Sequence, residues 1–155
     1  MAEYNSLTKE WRSLPDIPVG KHDHACSLVS TNIGLGILVA GGSGNRDMEY
    51  NTASAWLMDL GTEKWYPAGN MTYGRSEFQM VVLGERIFVL GSSAFDEGRF
   101  NSDPEDVEEY VLPCGTLTEC HPSEMGTWTK LNRKISRRAG GAVVPVPSSR
   151  FGCTG

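Results

Sequence analysis

Residues 37–44 read ILVAGGSG, four apolar residues running into a glycine pair at Gly41 and Gly42. A second stretch, IFVLGSSA, begins at Ile87, 50 residues further on, with nearly the same shape. A short apolar run closed by glycine reads as a buried strand and its turn. Recurrence at a fixed period marks a repeat architecture. The tryptophans give the register. Trp11, Trp65 and Trp128 are each followed ten residues later by a basic residue: Lys21, Arg75 and Arg138. Turn formers fill each interval. An apolar stretch follows the basic residue (ACSLVS, FQMVVLG, GGAVVPV), and a second apolar stretch ends at glycine (GILVAGG, RIFVLGS, RFGCTG). One register aligns two whole units and two partial ones.

The units read as strands. Their apolar runs are short, rich in Val, Ile and Phe, and bounded by Gly, Pro or Asn. No window sustains helical spacing. Strands are expected near 10–14, 24–30, 36–41, 54–60, 64–68, 77–83, 86–91, 106–112, 127–131, 140–146 and 150–154. The chain is therefore expected to be all-β, built of four-stranded antiparallel sheets like propeller blades. Residues 1–20 supply a lone terminal strand of one blade, and 21–70 the first full blade. Residues 71–133 form the second, interrupted by an insertion at 113–126, and 134–155 begin a third. Propellers close with about 4–8 blades, so an incomplete ring is expected. The register breaks off inside a blade at Gly155, so either a longer product or other chains would complete it.

These residues resemble a Kelch repeat: an apolar run ending in Gly-Gly, an aromatic-Asp pair, and a Trp six residues after the Asp. The first unit has Gly41-Gly42, Met58-Asp59 and Trp65, with Met where Tyr is usual. The second has Gly91-Ser92, then Tyr110 followed by Val111 instead of Asp, and Trp128 delayed by the insertion. The resemblance covers nearly the whole chain. It implies a non-catalytic scaffold or substrate adaptor, with a ubiquitin-ligase scaffold or actin among the partners such repeats serve. The structural signature comprises Trp11, Trp65, Trp128, Gly41, Gly42, Gly91, Asp59, Arg75 and Arg138. The glycines allow positive φ and close approach of neighbouring blades. Trp supplies a large apolar face with one N–H to satisfy, and the basic residues hold loop carbonyls or other acceptors. The alternative is a fragment of a galactose oxidase-like copper enzyme, whose propeller carries Tyr and His ligands and a Tyr–Cys crosslink; no clear set of such ligands stands out in this chain.

Composition narrows the choice. Apolar residues make up 39% and charged residues 21%, as in folded globular chains. A net charge of −5 argues against general nucleic-acid affinity. No apolar run approaches the ~20 residues of a membrane-spanning helix, and the N-terminus lacks a secretory pattern. A cytoplasmic chain is expected, with Cys26, Cys114, Cys120 and Cys153 as free thiols by default and a Cys114–Cys120 disulfide only in an oxidising compartment. The sequon at Asn70-Met71-Thr72 reads as chance.

Four features invite chemistry. His22 and His24 flank Asp23, and on a strand both rings would share a face, as metal ligands can. But His24 aligns with Phe78 of the next unit, which favours a structural role. Cys114, Cys120 and His121 lie in the insertion, with wider spacing than most zinc sites and no second cysteine pair. Residues 95–110 are strongly acidic but lack the order of a calcium loop. The loops 43–53, 67–74, 92–105 and 132–137 are expected on one propeller face. They bring together Asn45, Arg46, Asp47, Phe95, Arg99, Phe100 and Arg137, residue types suited to gripping a protein ligand. No catalytic residue, metal ligand or cofactor is assigned.

Overall fold

The computed structural model describes residues 1–44, 51–92, 106–115, 118–124, 126–135 and 141–142. Among them the chain is all-β, with ten strands and no helix. A hairpin comes first: β1 (Ala2–Asn5) and β2 (Glu10–Ser13). Then come β3 (Ala25–Thr31), β4 (Gly34–Ala40), β5 (Ser54–Asp59) and β6 (Lys64–Asn70), an antiparallel sheet in simple sequential order. Next, β7 (Gln79–Leu83), β8 (Arg86–Leu90), β9 (Asp106–Val111) and β10 (Thr127–Lys134) repeat that order. The strands expected at 140–146 and 150–154 lie outside the described residues, Gly141 and Ala142 apart; those two carry no strand.

The sheets pack with like against like. β3 lies against β7, and β6 against β10. Two equivalent sheets side by side, first strand to first and fourth to fourth, give a propeller-like arrangement. Between them lies one core of Ala25, Val29, Leu38, Leu57, Phe78, Ile87, Val89, Tyr110 and Trp128 with smaller neighbours. Neither sheet can bury its inner face alone, so this shared layer is the main hydrophobic term.

The glycine pair does what its sequence requires. Gly41 and Gly42 both have positive φ (64° and 95°). A Cβ on Gly41 would stand 2.5 Å from the Phe78 ring and 2.6 Å from the Arg75 carbonyl oxygen, both beyond the first sheet. The Gly42 N–H donates to that same carbonyl at 2.6 Å. Asp59 is buried at the β5–β6 turn, where its carboxylate accepts from the N–H groups of Gly61 (3.2 Å) and Thr62 (3.0 Å) and from the Thr62 hydroxyl. Burial opposes its charge, but these hydrogen bonds outweigh it and hold the carboxyl below the usual range.

Two expectations need correction. The strand around Trp11 is not alone: it pairs with β1, in the register Tyr4↔Trp11. Ala2–Asn5 carries no apolar run and is exposed throughout. It is a strand because Asn5 builds the turn, its Oδ1 accepting from the N–H groups of Leu7 (2.9 Å) and Thr8 (3.2 Å), with Lys9 at φ 60°. The loops expected at 67–74 and 132–137 are also shorter, because β6 runs on to Asn70 and β10 to Lys134. Pro67 is tolerated there because β6 is an edge strand.

The hairpin's place in the repeat is legible from ring geometry. Tyr4 and Trp11 stack with centroids 5.0 Å apart and planes at 42°, and Tyr110 and Trp128 do so with the same two values. β1 and β2 are thus the counterparts of β9 and β10, the third and fourth strands of a blade. The indoles of Trp65 and Trp128, the repeat's later tryptophans, reach back to the unit before. Trp65 Nε1 donates to the Pro15 carbonyl and Trp128 Nε1 to the Ala68 carbonyl, each at 3.2 Å.

Candidate functional site: the stems of the long loops

The residues expected to meet a ligand, Asn45, Arg46, Asp47, Phe95, Arg99, Phe100 and Arg137, lie outside the described residues, as does Arg138. What the structure describes is the base on which the loops 43–53 and 92–105 stand.

Arg75 is the centre of the second base. It is 1% exposed, and its guanidinium donates to the carbonyl of Gly91 (2.9 Å) and to that of Asp106 (2.8 Å). Those carbonyls flank the loop 92–105, so one side chain ties both stems together. Nε and Nη2 also donate to Glu108 Oε1 at 3.1 and 2.9 Å, and Glu108 is itself fully buried. The other carboxylate oxygen of Glu108 accepts from the Thr72 N–H at 2.6 Å. A charge this deep is tolerated only because its hydrogen bonds are satisfied. Lys130 reinforces the stem from the surface. Its ammonium pairs with the carboxylate of Asp106 and reaches the Tyr73 hydroxyl at 3.1 Å. These contacts, Asp106 first, hold its pKa above the ordinary lysine value.

Lys21 holds the same place in the first unit. Its ammonium donates to the carbonyl (3.1 Å) and hydroxyl (3.0 Å) of Ser54, the first residue of β5 after the loop 43–53. The Gly41 N–H donates to the same carbonyl at 3.0 Å, closing the other stem. Among the described residues no carboxylate takes that place here. Val89 faces Glu108 across β8–β9, whereas Val39, its counterpart, faces Trp56 across β4–β5. Lys21 is therefore a half-buried ammonium without the partner Arg75 has, and desolvation lowers its pKa to about 8. It opens on a cleft of about 410 Å³ lined by Asp16, Ile17, His24, Val39 and Trp65.

His22 and His24 do not share a face in the way a metal-binding pair would need, in keeping with the structural role that sequence alignment favoured. Asp23 between them has φ 53°, which breaks the alternation that would put both rings on one face. His24 is exposed, and partial desolvation followed by the nearby Lys21 lowers its pKa.

The insertion also differs from expectation. Cys114 and Cys120 are joined by a disulfide, Cα to Cα 5.6 Å, where free thiols were expected. The turn at Gly115, φ 96°, brings the cysteines together although five residues separate them. Cys26 is a free thiol and exposed. The insertion is docked rather than dangling. The Gly126 N–H donates to the Tyr110 hydroxyl at 3.0 Å, and the His121 ring meets Tyr66 of the first sheet edge-on at 5.9 Å.

Among the described residues no helix is long and apolar enough to cross a membrane. No protein-family model matches the chain, and no curated protein matches it.

Proposed function

We propose that this chain is a Kelch-type protein-interaction module, a non-catalytic binding scaffold or substrate adaptor that acts in the cytoplasm. Its ligand is a protein, met by the loops 43–53 and 92–105. The supporting observation is the clamp at their bases. Lys21 and Arg75, the basic residues of the repeat, are spent on the loop stems. Trp65, Trp128, Asp59 and Gly41 are likewise engaged in joining or turning strands. A framework whose described signature residues, exposed Trp11 apart, serve the scaffold leaves recognition to the loops, which can vary without refolding it. Arg46, Arg99 and Phe100 are the residue types that anchor interfaces.

The test is a pull-down from cell extract with the wild-type chain, the triple variant Arg46→Ala/Arg99→Ala/Phe100→Ala and a Cys114→Ser control. The reading expects specific partners to be lost from the triple variant and kept by the control. A folded triple variant that keeps every partner, while the control loses them, would overturn it.

A further inference from the structure

We propose that the Cys114–Cys120 pair, once reduced, forms with Glu124 a binding site for a thiophilic divalent cation of the zinc class. One donor atom from each residue lies within 4.8 Å of the other two. Zinc binds thiolate at about 2.3 Å and carboxylate at about 2.0–2.2 Å, so donors around it stand roughly 3.5–3.8 Å apart. Cys114 Sγ already stands 3.8 Å from Glu124 Oε2. The carboxylate is held in place, for the His121 N–H donates to Oε2 at 2.8 Å and the Glu124 N–H returns to the His121 carbonyl at 2.8 Å. The His121 ring is engaged elsewhere: its Nδ1 accepts from the Ser123 N–H (3.2 Å) and lies 2.7 Å from the Ser123 hydroxyl. Two sulfurs and one oxygen therefore form a three-donor set, and the fourth position is left to water. Cys120 is 2% exposed while Glu124 is exposed, so the site has a dry wall and an open mouth.

Disulfide and metal exclude each other, because the same two sulfurs serve both. A phosphine reductant opens the S–S bond: the phosphorus takes the oxygen of water, and the two sulfurs take its protons. Metal binding then displaces those two protons, so affinity rises with pH.

The experiment uses the whole 155-residue chain, reduced with a phosphine, in competition with a chromophoric zinc chelator. One zinc per chain is expected, with uptake abolished by Cys114→Ser, unchanged by Cys26→Ser and weakened at least about tenfold by Glu124→Gln. The disulfide form should take up none. Alkylation mapped by mass spectrometry needs no variant: zinc should protect Cys114 and Cys120 but not Cys26. The site is overturned if the reduced chain takes no zinc from the chelator. It is equally overturned if zinc fails to protect the pair, or if Glu124→Gln binds as tightly as wild type.

Discussion

Lys21 and Arg75 occupy one position of the repeat, and their surroundings make them chemically different. Arg75 has a buried carboxylate at 2.9 Å; Lys21 has the carbonyl and hydroxyl of Ser54. Below about pH 8 the folded and unfolded chains both carry the Lys21 charge, and the fold bears the full cost of desolvating it. Between about 8 and 10.5 the folded chain gives up the proton first, so this residue makes stability rise with pH across that window; above 10.5 the cost is gone. Urea unfolding of wild type and Lys21→Met at pH 7.5 and pH 10 checks this. Wild type should gain stability relative to the variant as pH rises, and a constant difference would refute the assignment. The same lowered pKa leaves a neutral amine near pH 8. A limiting amount of an acylating reagent should therefore modify Lys21 ahead of the exposed lysines, as read by peptide mass spectrometry.

At the scale of the element, each sheet is a meander whose long β4–β5 or β8–β9 connection is pinned at its base. The second base depends on a buried pair, and removing one member strands the other. Glu108→Ala should lower stability by about 3–5 kcal/mol, because it leaves the Arg75 guanidinium buried against backbone carbonyls alone. The double variant Arg75→Met/Glu108→Ala should cost less than the summed losses of Arg75→Met and Glu108→Ala alone, since no uncompensated charge remains. Denaturant midpoints of the four proteins decide it, and strict additivity would show that the pair is not coupled. The position of these clamps follows from residue type and spacing: a basic residue ten positions after each of Trp11, Trp65 and Trp128 was readable as a holder of loop acceptors. Its acceptors were not, because Gly91, Asp106 and Glu108 come near Arg75 only when β7, β8 and β9 align.

For the whole molecule, the decisive fact is that each sheet buries its face against the next. Trp128 is 8% exposed between two sheets, while Trp11, in the same place on its hairpin, is 70% exposed and Tyr4 47%. Among the described residues β1 pairs with β2 alone, although its counterparts β5 and β9 each have strands on both sides. An uncovered aromatic pair beside an open strand edge favours association. Sedimentation velocity should show the chain forming larger species as concentration rises, and Trp11→Ser should shift it toward monomer. A wild-type chain that stays monomeric throughout would show that the hairpin's face needs no cover.

By itself the sequence determined the positions of β2 to β10, the period and the close approach at Gly41, since these follow from apolar runs, turn residues and a positive φ, all local properties. Tertiary structure decided the rest. β1 has no apolar pattern and exists because Asn5 turns it onto β2. Cys114 and Cys120 meet because the turn at Gly115 folds the insertion back, a pairing that the default of free thiols did not include. Glu124 joins them through a turn on His121. Glu108 and Trp56 read as unrelated residues until strand register places them at one position, giving Arg75 a carboxylate and leaving Lys21 without one. A local pattern specifies how a segment folds; which side chains then meet depends on distances between segments far apart in the chain, and only the packed sheets set those.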